Sequence, residues 1–237
     1  MPDVFGRMVA DYYRDELAGQ PVYRRSDGDR STAHCAWYFA DPSEWGAFDR
    51  AGIGHASGRV VDVGSGVGRA ILWLQERSHD ALGIDVSPRA VSVSRDRGAP
   101  AIVGDMTALP IGDDAFDTAL FVGTHLGAVE TRDGLRSLLS ELDRVLAPGG
   151  RIVADMYDPT LVEDPELASY LDGRWRDPGV ATRTFRLEYD GLVGDWLTLL
   201  MCSPGALGTA VEPAGWSVEA THESEGTRYY TVLERTR

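Results

Sequence analysis

The sequence predicts an α/β chain built on a doubly wound, mostly parallel sheet, and three observations carry that reading. Val60-Val61-Asp62-Val63 is an apolar, β-branched run that ends in Gly64-Ser65-Gly66-Val67-Gly68 and passes into a helical pattern from Val67 to Arg77. A second apolar run, Ala81 to Asp85, ends in an acid 21 residues past Gly64, where a doubly wound sheet places a carboxylate against ribose hydroxyls. Apolar runs and helical patterns then alternate as far as Met156, as parallel strands joined by crossover helices require.

The glycine-rich turn selects among ligands by its spacing. A dinucleotide fingerprint would put its third glycine at Arg69, and a phosphate loop needs a Gly-Lys pair in a chain whose 23 basic residues are all arginine. Gly-x-Gly-x-Gly with an acid two residues earlier suits a ligand presenting both an amine and a carboxylate: Asp62 faces the ammonium and the turn amides face the carboxylate. Beyond Asp85, Ser87-Pro88 caps a helix over Arg89 to Arg97. The short strand Ala101 to Gly104 then leads to Asp105 and Met106, an acid and an apolar neighbour that suit an adenine. Phe116 to Val122 reads as the fourth strand and Asp133 to Leu146 as an amphipathic helix. A Pro148-Gly149-Gly150 turn follows, then a fifth strand from Arg151 to Met156. Residues 157–181 read as irregular, and the alternation over 182–189 and 196–202 as an added β-hairpin. Trp216 to His222 and Thr227 to Glu234 read as two further strands.

Through Asp62-Val63-Gly64-Ser65-Gly66-Val67-Gly68, Gly83-Ile84-Asp85-Val86-Ser87, Gly104-Asp105-Met106 and Leu146-Ala147-Pro148-Gly149-Gly150, the sequence resembles the class I S-adenosylmethionine-dependent methyltransferases of the small-molecule type. The likeness is strong over about residues 58 to 157, with four motifs in order and register. It implies a Rossmann-like, seven-stranded sheet closed by a reversed C-terminal hairpin, with S-adenosyl-L-methionine as cofactor and S-adenosyl-L-homocysteine as product. It also implies that Gly64, Ser65 and Gly66 line the methionine part, Asp85 binds the ribose with Val86 beside it, and Asp105 with Met106 brackets the adenine. Asp62 becomes the ammonium partner.

Composition agrees with one structural domain, residues 58–237 forming the core and 1–57 an N-terminal helical lid segment that opens with a helix from Phe5 to Leu17. Cys35 and Cys202 make no zinc or redox spacing, and Asp3, Arg7, Asp11, Arg14 and Asp15 stand where a signal peptide needs an apolar core. A reducing, cytoplasmic setting without a membrane partner is expected. Thirty-seven acids against 23 arginines give a net charge of −14, which repels a phosphate backbone and makes nucleic acid a poor partner. The absence of lysine excludes Schiff-base chemistry.

Residues 1–57 hold 9 of the 21 aromatic side chains, so an aromatic lid over a sulfonium is expected, with Tyr38 and Trp45 as its candidates and Trp37 and Phe48 as packing residues. Methyl transfer is an in-line displacement at an activated carbon, and positioning alone can supply on the order of 7–11 kcal/mol. The candidate base is His125, which follows the fourth strand, because imidazole protonation changes near neutrality. Tyr157 and Asp158, after the fifth strand, are candidates for positioning the substrate, while His34 and His222 read as surface or lid residues. Gly123-Thr124-His125-Leu126 departs from the Asn/Asp-Pro-Pro-aromatic signature of nucleobase methyltransferases. Asp155 and Asp158 lack the partners of a magnesium site, so no metal is expected. The expected reaction is methylation of an O, N or C nucleophile on a small organic molecule. The alternatives are a protein or nucleic-acid methyltransferase and a non-methylating cofactor-binding protein.

Overall fold

The computed structural model describes residues 2–236. In chain order the elements are α1 (Val4–Tyr13), β1 (Val22–Arg25), β2 (Arg30–Thr32), α2 (Cys35–Phe39), α3 (Ala47–Ile53), β3 (Val60–Val63), α4 (Arg69–Glu76), β4 (Ala81–Asp85), α5 (Pro88–Asp96) and β5 (Ala101–Val103). There follow β6 (Phe116–Phe121), α6 (Arg132–Val145), β7 (Leu146–Tyr157), α7 (Pro165–Asp172), β8 (Trp175–Asp177), β9 (Val180–Tyr189), β10 (Leu192–Val193), β11 (Leu197–Cys202), α8 (Pro204–Val211), β12 (Trp216–Glu223) and β13 (Arg228–Arg235).

Seven strands form the central sheet in the order β12-β13-β7-β6-β3-β4-β5. β7, β6, β3, β4 and β5 run parallel, and the β12–β13 hairpin is antiparallel. The expected Rossmann-like sheet with a reversed C-terminal hairpin is therefore the fold. From β3 the chain winds outward through β4 and β5, then returns to β6 on the other side, so the winding direction reverses between β3 and β6. Ligands of open α/β sheets sit at such a reversal, outside the carboxyl ends of the strands.

Strand periodicity divides the core in two. Val61, Ala119, Ile152 and Leu233 face one side, packed with Leu135, Leu138, Leu139 and Leu142 of α6. Val60, Leu120, Val153 and Val232 face the other, packed with Ile71, Trp73 and Leu74 of α4. Burial of each leucine on the α6 face contributes roughly 1.5–3 kcal/mol, and the Thr131 hydroxyl caps that helix by accepting from the Gly134 amide at 3.0 Å.

A second, antiparallel sheet is gathered around the long strand β9, which pairs with β1, β8, β10 and β11, with β2 added on β1. The predicted hairpin at 182–202 is present within it. The N-terminal segment, expected as a helical lid, also contributes β1 and β2, because Val22 to Arg25 pair with Glu188 to Phe185. α1 stops at Tyr13 rather than Leu17, as Asp15 turns the chain into the left-handed region at φ 61°. Residues 157–181, expected to be irregular, include α7. There the Asp164 carboxylate accepts from the Leu167 amide at 2.8 Å and Pro165 occupies the first turn, a start signal present in the sequence.

Candidate active site

Gly64, Gly66 and Gly68 adopt φ values of 79°, 54° and 79°, which favour glycine. A β-carbon at Gly64 would collide with the His125 imidazole, so this glycine also makes room for the loop after β6. The turn is held by the strand beside it, as the Gly64 and Ser65 amides donate to the Ile84 carbonyl at 2.8 and 3.1 Å.

Asp85 sits at the junction of three segments. One carboxylate oxygen accepts from the Gly66 amide and the other from the Ser87 amide, both at 2.8 Å. The Ser87 hydroxyl accepts from the Ala90 amide to cap α5 and donates to Asp3 at 2.8 Å. Asp3 in turn caps α1. The start of α1 therefore crosses the glycine turn, and a β-carbon added at Gly66 would lie 3.6 Å from the Phe5 ring. Burial raises the Asp85 pKa above the ordinary carboxylate range, against the lowering effect of the two amides.

Asp62 is 2% exposed. Burial, and then the charge of Asp85, push its pKa up to about 7. Asp62 Oδ1, Ser65 Oγ and His125 Nδ1 are all buried without a hydrogen-bond partner. Buried polar atoms are ordinarily paired, so three orphans around one turn mark a place where a polar ligand fits. Val86, immediately after Asp85, is 72% exposed and forms a free apolar face. Asp105 is exposed, and one of its oxygens accepts from the Thr107 amide and hydroxyl, both at 2.8 Å, while Met106 packs on the main core.

The structure thus brings Asp62, Gly64, Ser65, Gly66, Asp85 and His125 together. Tyr157 ends β7 and packs beside Tyr170, Leu171, Ala181 and Met201. Asp158 is buried and caps the turn that follows β7, accepting from the Thr160 amide and hydroxyl at 2.8 and 2.6 Å. Tyr38 is half-buried, with its hydroxyl bonded to that of Tyr23 and its ring edge-on to Phe5 at 5.2 Å. Trp45 requires correction: it is 5% exposed, stacks on Trp73 at 6.2 Å and belongs to the core, whereas Trp37, expected to pack, is 44% exposed. Both tryptophan rings lie against the guanidinium of Arg69, at 4.3 Å for Trp37 and 4.6 Å for Trp45, and this buried cation draws the lid segment onto α4.

Asp155 escaped the sequence reading as a site residue. It is fully buried, and its Oδ1 accepts from the Gly123 and Thr124 amides at 2.7 and 2.9 Å. Its Oδ2 accepts from Arg228 Nε and Nη2 at 3.1 and 2.8 Å, and Nη2 also reaches Asp49 Oδ1 at 3.0 Å. The carboxylate fixes the loop that presents His125, in which Thr124 takes a φ of 65°. The only advance signal was an acid inside an otherwise apolar strand. Among the described residues no three His, Cys, Asp or Glu side chains cluster as metal ligands.

A glycine turn at a winding reversal, an acid ending the next strand and a reversed hairpin closing the sheet give this chain the fold of the class I S-adenosylmethionine-dependent methyltransferases. Residues 61–154 match the family model described as a methyltransferase domain. The chain is 29% identical over 166 residues to the uncharacterized methyltransferase YcgJ of Bacillus subtilis, covering 65% of this chain and 62% of that protein. It is 30% identical over 180 residues to the methyltransferase GfsG of Streptomyces halstedii, covering 66% and 60%. The alignments thus span about three-fifths of these two relatives. Among solved structures, a SAM-dependent methyltransferase from Bacteroides fragilis in complex with S-adenosyl-L-homocysteine superposes with a TM-score of 0.85 at 24% identity, covering 100% of this chain and 98% of that one. The CcbJ methyltransferase of Streptomyces caelestis superposes with a TM-score of 0.64 at 15% identity, with both chains fully covered.

Replacing Asp155 with alanine leaves the half-buried Arg228 with Asp49 alone as its carboxylate partner and frees two loop amides. The expected loss of stability is about 3–5 kcal/mol, read as the shift in a urea unfolding curve.

Proposed function

We propose that the protein transfers a methyl group from S-adenosyl-L-methionine to an O, N or C nucleophile of a small organic molecule. The observation that carries the reading is the set of unpartnered atoms around the glycine turn, Asp62 Oδ1, Ser65 Oγ and His125 Nδ1. The unpaired Asp62 oxygen suits the ammonium and the unpaired Ser65 hydroxyl the carboxylate at the amino-acid end of that cofactor. Asp85 is the residue for the ribose hydroxyls, Val86 and Met106 for the faces of the adenine, and Asp105 for its amino edge. The small-molecule reading is supported by the acidic chain and by the aromatic cover of Phe5, Tyr38 and Tyr23 over the turn. It also agrees with the name of a relative 27% identical over 159 residues, the 2-heptyl-1-hydroxyquinolin-4(1H)-one methyltransferase of Mycobacteroides abscessus.

Bound cofactor supplies an electrophilic methyl carbon on a positive sulfonium. The chain supplies position and a dry setting: α1 and the aromatic cover exclude water, and Asp155 fixes the loop that places His125 beside Gly64. His125 Nδ1, lacking a partner, is the atom that takes the proton of an acceptor hydroxyl or ammonium. Tyr157 lines the acceptor side of the cleft.

Incubation with methyl-labelled cofactor and a cell extract tests the reading. Label in the small-molecule pool supports it, and label confined to macromolecules, or none, rejects it. Asp85→Ala is expected to weaken cofactor binding by about 1.5–3 kcal/mol, read by calorimetry. His125→Ala is expected to lower kcat far more than cofactor affinity, and equal losses would reassign it to a structural role.

Asp62 sets a pH dependence. In the free protein it keeps its proton to about pH 7, whereas in an unfolded chain it titrates near 3.9. The stability contributed by this buried neutral acid is therefore complete below about pH 4 and is lost as pH rises through 7. An ammonium partner needs the ionised form, so cofactor affinity is expected to rise between pH 5 and 7 by up to about tenfold per unit. The same titration of Asp62→Asn is expected to be flat.

A further inference from the structure

We propose that the roof of the cleft carries an oxyanion site built on Arg183, which recognises a carboxylate or phosphate on a ring-bearing acceptor. The proposal rests on the methyltransferase reading and names its substrate class.

Alternate residues of β9 define the roof. Leu187 and Tyr189 pack on Val4, Met8 and Val9 of α1, while Ala181 packs with Tyr157 at the end of β7. Arg183 and Phe185 lie on the same face between those two contacts, which places them over the carboxyl ends of the central strands. Leu199, opposite Arg183 on β11, is buried on that face too.

Apart from the exposed Arg176 on β8, the other arginines of this sheet are neutralised. Arg24, Arg30 and Arg186 converge on Glu188 at 3.8, 3.4 and 2.7 Å, and Arg25 pairs with Asp27 and Asp29 at 2.9 and 3.2 Å. Arg183 forms no ion pair among the described residues, and its Nε is buried without a hydrogen-bond partner. A half-buried guanidinium with an unmet donor, in a chain of net charge −14, is a costly arrangement unless an anion completes it. The planar fork of arginine matches a carboxylate or a phosphate in two-point contact.

Aromatic rings connect this group to the glycine turn. The Arg183 guanidinium stands 5.6 Å from the Phe185 ring, and Phe185 meets Tyr23 edge-on at 5.4 Å. The Tyr23 hydroxyl is bonded to Tyr38, whose ring meets Phe5 above Gly66. An acceptor whose ring lies along this wall would direct its oxyanion to Arg183 and its nucleophile toward His125.

The test uses the full chain saturated with S-adenosyl-L-homocysteine and three calorimetric probes: 4-hydroxybenzoate, phenyl phosphate and the neutral 4-hydroxybenzamide. At least one anion should bind about tenfold or more tightly than the amide, and the tighter of the two identifies carboxylate or phosphate as the natural group. Arg183→Gln should bring that preference within about twofold, leaving the unfolding midpoint and the homocysteine-product affinity in place. Arg183→Lys, which keeps the charge, should retain part of the preference and decides the matter if the glutamine variant does not fold. Equal binding of amide and anions, binding of no probe, or an undiminished preference in Arg183→Gln overturns the proposal. If the product itself fails to bind in the first titration, the methyltransferase reading falls, and this site with it.

Discussion

The carboxylate of Asp85 holds the cleft together. By accepting one amide from the glycine turn and another from the start of α5, it sets the distance between two loops that a parallel sheet otherwise leaves free. Through Ser87 and Asp3 the same junction positions α1, and with it the Phe5 ring over Gly66. Each hydrogen bond to a carboxylate is worth about 1.5–3 kcal/mol, enough to offset part of the desolvation that raises the Asp85 pKa.

Buried acids are used differently around this site. Asp155 has both oxygens satisfied, by backbone amides on one side and Arg228 on the other, and so acts as a rigid support for the His125 loop. Asp62 retains one unpaired oxygen and a raised pKa. The contrast separates a carboxylate completed by the fold from one the fold leaves unpaired, and an unpaired buried group is the more costly state.

The second sheet packs on α1 through Leu187 and Tyr189 of β9. Its strands come from two distant stretches of chain, and the pairing of β1 with β9 makes the N-terminal aromatics and the added hairpin a single surface. Arg69 ties the N-terminal segment to α4 by stacking between tryptophans, and Arg228 ties α3 to the central sheet by pairing with Asp49 and Asp155.

The central strands, their connecting helices and the acids at their ends were legible in the sequence because each follows from a local pattern. Val60 to Val63 and Ala81 to Asp85 are strands over those residues, bounded by the expected turns. Helix α7 was also legible in principle, through Asp164-Pro165-Glu166, but the prolines and glycines around it obscured the signal. The exchange of Trp37 and Trp45 between surface and core was not legible, since Trp37 stands in an apolar run and Trp45 among polar and small residues, and only the position of Trp73 puts Trp45 in the core. By itself the sequence determined the sheet, the glycine turn and the acids at its rim, because strand and helix periods and turn chemistry act over a few residues. Tertiary structure alone decided that Asp155 supports the His125 loop, that β1 joins β9 and that Arg183 Nε is buried without a partner, because each depends on residues that meet only after the chain has folded back on itself.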